Sequence, residues 1–120
     1  MMTDAELFEN WNIRFSRRRD DIPVQGSPNR TEERFAAEDT VGKLFIADGF
    51  ESRKRVKQRA LNELLEFLKA HDVPVVPWLR TKDDGHGCSG MARFWQVRPF
   101  ISGEPPSRGS IGENLRLAEI

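Results

Sequence analysis

Residues 92–104 read ARFWQVRPFISGE, and the break inside this run governs how the rest of the chain is read. Trp95, Val97 and Phe100 suit a buried sheet. Arg98 and Pro99 interrupt it, because proline has no N–H to donate to a ladder and is confined to strand edges and ends. The run therefore predicts a strand that stops near Pro99 with an apolar pair, Phe100 and Ile101, just beyond the stop.

Working back from that strand, KDDGHGCSG (82–90) reads as a loop, and HDVPVVPWLRT (71–81) as an edge-like strand in which Pro74 and Pro77 forbid a helix. Before it, Val56, Ala60, Leu61, Leu64, Leu65, Phe67 and Leu68 recur at helical spacing, which predicts a helix from Ser52, as N-cap, to Ala70. GKLFIADGF (42–50) is a short apolar run between glycines and predicts a buried strand. TEERFAAE (31–38) has the composition of a helix, yet a sheet at this place requires tertiary pairing to make it a strand. Trp11, Ile13 and Phe15 alternate with polar residues as in a half-buried strand, and Thr3 with Glu6 has capping-box spacing for a short leading helix. Downstream, GEPPSRGSIGEN (103–114) is a connector into a helix start at NLRLAEI. The predicted fold class is α+β, a twisted antiparallel sheet of about five strands with one long helix packed across it.

With 120 residues, 38 % of them hydrophobic and 32 % charged, the chain suits one domain. Its 19 basic and 19 acidic residues cancel, which counts against nucleic acid and anionic membranes as partners. A single cysteine, Cys88, forbids an intramolecular disulfide; the acidic start has no signal-peptide pattern, and no apolar run approaches membrane-spanning length. The expectation is a cytoplasmic protein.

The local motifs have plain readings. His86-x-Cys88 falls short of the four ligands of a zinc site, and Cys88 reads as an ordinary loop cysteine. RRRDD (17–21) reads as a solvated turn, and so does Asp83-Asp84-Gly85. Arg53, Lys54, Arg55, Lys57 and Arg59 crowd the helix N-terminus, where the dipole disfavours cations, so a phosphate-gripping role is a weak third idea.

The order of elements resembles the smaller lobe of kinase-fold proteins. VQGSPNRTEERFAAEDTVGKLFIADGF (24–50) looks like the glycine-turn, strand, hairpin, strand segment of small-molecule phosphotransferases of the aminoglycoside, choline and homoserine kinase type. RALNELLEFLKAHDVPVVPWLRTKDDG (59–85) is similar to their helix and following strand, and FWQVRPFISGEP (94–105) to their hinge. The resemblance spans roughly residues 22 to 118. It implies a lobe over residues 1–103, with its leading helix and strand in 3–17, and a connector plus the start of a second-lobe helix over 104–120.

For the site, the resemblance implies ATP as the nucleotide. Gly26, Ser27 and Asn29 would lie on the glycine turn. Arg98, Pro99, Phe100 and Ile101 would form the hinge facing the purine edge, with the carbonyls there and the N–H of Phe100 or Ile101 as usable groups. Such enzymes place a cation on the third strand, oriented by a helix glutamate. Here that position falls on Ala47 or Asp48, neither of them cationic; Lys43, four residues before Ala47, is the candidate displaced cation and Glu63 the candidate helix carboxylate. The Mg²⁺ carboxylates and positioning aspartate belong to the large lobe, so Mg²⁺ is expected only where that lobe is present. The expected function is a nucleotide-facing small lobe without catalytic power of its own, its cleft face covered by a C-terminal lobe or a partner protein. The alternative is a non-catalytic α+β protein-interaction domain.

Overall fold

The computed structural model describes residues 2–24 and 33–101. Within them the order is helix α1 (Asp4–Glu9), strands β1 (Phe15–Arg18), β2 (Glu33–Asp39) and β3 (Leu44–Glu51), helix α2 (Arg55–Ala70), and strands β4 (Cys88–Gly90) and β5 (Arg93–Pro99). The strands form one antiparallel sheet in the order β1-β2-β3-β5-β4. This is the expected α+β class, and five strands are present.

Period-two alternation divides the central strands between two different surroundings. Phe35, Ala37, Phe45, Ala47, Trp95 and Val97 share one face with Leu7 and Phe8 of α1 and with Trp11. The opposite face carries Arg34, Ala36, Ile46, Asp48, Phe50, Phe94, Gln96 and Arg98, and meets Gln58 of α2 and Trp78. α1 begins with the full capping box between Thr3 and Glu6.

TEERFAAE settles as a strand from Glu33 onward. Phe35, Ala36 and Ala37 are buried in succession, which a central strand covered on both faces achieves and a surface helix does not. Pairing with β1 on one side and β3 on the other outweighs helix propensity.

Four local expectations need correction. The leading strand starts at Phe15, because Asn12 takes a left-handed conformation (φ 57°) and turns the chain after α1 while the Trp11 indole donates to the Leu79 carbonyl. Arg17 and Arg18, expected in a turn, therefore lie in β1, where they pair with Glu38 and Asp4. Residues 73–80 join no ladder, since Pro74 and Pro77 lack donors and Val75 N–H turns back to the Val73 carbonyl; Leu79 N–H is the backbone donor of this segment that reaches the sheet, bonding the Val97 carbonyl at 2.7 Å. The fifth strand is instead β4, inside the expected loop 82–90. It is closed onto β5 by a two-residue turn in which Met91 and Ala92 both have positive φ, the geometry that matches strand twist.

The fourth correction concerns α2. Ser52 does not cap it: its hydroxyl reaches the Ala92 carbonyl, residues 52–54 form a 3-10 turn, and the α-helix starts at Arg55 without a side-chain cap. The buried positions are Gln58, Asn62 and Leu65, whereas Val56, Leu64 and Phe67 stand 70, 48 and 58 % exposed. Leu65→Ala should accordingly destabilise the domain by about 2 to 5 kcal/mol. Leu64→Ala should cost less than about 1 kcal/mol. Urea denaturation of the two variants side by side checks the assignment, and equal losses would contradict it.

Candidate functional site

The site is built outward from the third strand. Residues 47 and 48 point to opposite faces: Ala47 packs into the α1-side core, and Asp48 turns to the side of α2 and Trp78. Asp48 is thus the residue at the place expected to carry a cation. It is 1 % exposed, so its charge must be compensated locally. Arg34, directly opposite it on β2, donates from Nε to Oδ1 at 2.5 Å. Arg98, near the end of β5, donates from Nε to Oδ2 at 3.1 Å, and Trp78 Nε1 adds a third bond at 2.8 Å to the same oxygen. The Phe50 ring braces the Trp78 indole edge-on. Two guanidiniums and an indole therefore lock one carboxylate, and both of its oxygens are engaged.

Behind this cluster, amides join α2 to the sheet. Asn62 accepts the Trp78 N–H at 2.8 Å through Oδ1, which leaves Nδ2 to donate to the Trp78 carbonyl and to His86 Nδ1 at 3.0 Å. Gln96, opposite Asp48 on β5, donates to the His86 carbonyl. His86 is therefore a buried structural acceptor. Cys88 is half-buried, and burial pushes its thiol up to about 11, far from nucleophilic poise at neutral pH.

The other expected site residues are dispersed. Lys43 lies in the β2–β3 hairpin with Nζ 5.5 Å from the centre of the Phe45 ring, on the sheet face that α1 covers. Glu63 rises from α2 on the other side, mostly exposed, with its carboxylate 3.7 Å from His86 Nε2. The structure does not bring these two together. At the hinge, Phe100 N–H donates to the Leu44 carbonyl at 3.0 Å, so it extends the β3–β5 ladder and is not a free donor. Exposed Ile101 is the remaining N–H of the expected pair, alongside the carbonyls of Pro99 and Phe100, whereas the Arg98 carbonyl faces Ile46 in the ladder. Next to Pro99 an open, largely apolar groove of about 470 Å³ runs between the C-terminal end of α2 and residues 76–80, with the Arg80–Glu66 ion pair at its rim. Gly26, Ser27 and Asn29 lie outside the described residues, as does the 104–120 connector.

Arg34 and Trp78 were not singled out in the sequence. Their partnership with Asp48 joins residues 14 and 30 positions away, and only strand register and the fold of the 73–80 segment make it. Asn62 and Gln58 did leave a trace, as polar residues inside an apolar helical pattern.

No family model and no curated protein matches the sequence. Among solved structures the chain is similar to an aminoglycoside phosphotransferase from Alicyclobacillus acidocaldarius, with a TM-score of 0.64 and 11 % identity over 88 % of this chain and 29 % of that one. The protein has the fold of a kinase-like small lobe, and it spans under a third of the phosphotransferase that it resembles.

Proposed function

We propose that this chain is the nucleotide-facing small lobe of a kinase-fold small-molecule phosphotransferase, and that its own share of the task is to contact the adenine of ATP. The observation carrying this reading is the structural match of 88 % of the chain to 29 % of an aminoglycoside phosphotransferase, the share a small lobe would take. In support, β5 ends at Pro99, Phe100 N–H makes the last bond to β3, and Ile101 is exposed just beyond, where the backbone would offer a purine its edge. Phosphate is treated differently. Asp48 presents a carboxylate where a phosphate-holding cation is expected, and the two neighbouring arginines are bound to it. Mg²⁺ does not fit this side of the cleft: both Asp48 oxygens are engaged, and among the described residues no cluster of three metal-ligating side chains occurs. Transfer of a phosphoryl group to a small hydroxyl acceptor would depend on carboxylates from a second lobe.

Affinity for the adenine alone is expected near 1 mM, about −4 kcal/mol. Titrating the isotope-labelled chain with ATP and with adenosine should shift the amides around residues 98–101 to the same extent. A much stronger response to ATP would locate a phosphate site that this reading lacks, and no response to either ligand would remove the nucleotide role. The Arg34–Asp48–Arg98 lock favours one second reading, an α+β interaction domain that keeps the fold without the nucleotide.

A further inference from the structure

α2 is inverted relative to an ordinary surface helix. It buries Gln58 and Asn62 together with Leu65, Asn62 bonding Trp78 and His86, and leaves Val56, Ala60, Leu64 and Phe67 outward, at spacings that place all four on one stripe. Phe67 is braced by the His71 ring, whose centre lies 4.2 Å away, so the stripe is partly ordered before anything covers it. A contiguous exposed apolar stripe of this kind marks a contact surface.

We infer that this stripe pairs with the same stripe of a second copy of the chain, in antiparallel orientation about a two-fold axis near the middle of the helix. The inference is independent of the nucleotide reading and rests on self-complementarity. With the axis there, Val56 of one copy faces Phe67 of the other and Ala60 faces Leu64, so that a smaller side chain meets a larger one at each level. Arg59 and Glu63, both exposed on the same flank of the stripe, face Glu63 and Arg59 of the second copy. Like-sided flanks meet in an antiparallel two-fold pair, so one arginine and one glutamate suffice to form two reciprocal ion pairs. A helix of this length offers about 24 Å of contact. One helix per subunit falls at the small end of interface sizes, which implies dissociation constants of about 10 to 100 µM.

Analytical ultracentrifugation of the full chain over about 5 to 500 µM tests this, with the expected mean mass rising from one chain toward two. Phe67→Glu should weaken association at least about tenfold, and Arg59→Glu or Glu63→Arg alone several-fold, while the double exchange R59E/E63R returns it to within about twofold of the unaltered chain. All three substituted positions are exposed, and unchanged circular dichroism and melting separate lost association from lost folding. A single-chain mass at every concentration overturns the inference and leaves the stripe to a different protein. A dimer indifferent to Phe67→Glu overturns it by placing the contact elsewhere, and a double exchange no better than either single one overturns the antiparallel two-fold arrangement.

Discussion

Asp48→Ala is expected to cost about 3 to 5 kcal/mol, a large part of the stability of a domain this size. The carboxylate is buried, and its removal leaves the Arg34 and Arg98 guanidiniums facing each other and the Trp78 N–H without its acceptor. The indole N–H is then a desolvated donor without an acceptor, and two part-buried like charges lose the carboxylate between them. Asp48→Asn should lose less, since an amide oxygen can still accept from Trp78 but brings no charge against two arginines. Asp48→Lys, which restores a cation to the third strand, should be the most damaging of the three, because it sets a third positive charge, at a buried position, beside two arginines. Urea denaturation of the three variants gives the order. A loss under about 1 kcal/mol for Asp48→Ala would mean that water compensates the cluster, contrary to its burial.

Trp95→Ala is expected to destabilise by a similar amount, about 3 to 5 kcal/mol, through a different cause. Trp95 is the largest fully buried side chain and meets Phe35 edge-on, with ring centres 5.8 Å apart, while its N–H donates to the Gly90 carbonyl at 3.0 Å. It also lies over Gly49 on the paired strand, where a Cβ would come within 2.7 Å of the indole. Glycine at 49 is thus required by close approach. Gly49→Ala alone should cost about 1 to 3 kcal/mol by overpacking, and much less once Trp95 is alanine. Thermal melts of the two single variants and the double variant measure that coupling. Additive losses would show that the indole does not lie over residue 49.

Both residues show where sequence reading succeeds and where it stops. Trp95 and Val97 were legible as core because alternation along one strand is local. Asp48 was legible only as a missing cation, since nothing near it in the chain reveals Arg34 fourteen residues before or Arg98 fifty residues after. The hinge behaves likewise. Pro99 announces the break, but whether Phe100 N–H is free depends on the Leu44 carbonyl, supplied by another strand. The helix stripe misled for a related reason: spacing says which side chains share a helix face, but not which face the sheet takes.

By itself the sequence determined the α+β class, the capped first helix, the central strands β3 and β5 with the stop at Pro99, and the long helix ending before Pro74. Hydrophobic period, proline and capping chemistry act within a few residues, and these elements follow from them. Only the tertiary structure decided that residues 33–39 form a strand, that Cys88–Gly90 is the fifth strand in place of the 73–80 segment, that α2 buries Gln58, Asn62 and Leu65, and that a carboxylate sits locked between two arginines on the third strand. Each of these outcomes depends on partners far away in the chain, whose burial and hydrogen bonding exist only after the sheet has closed.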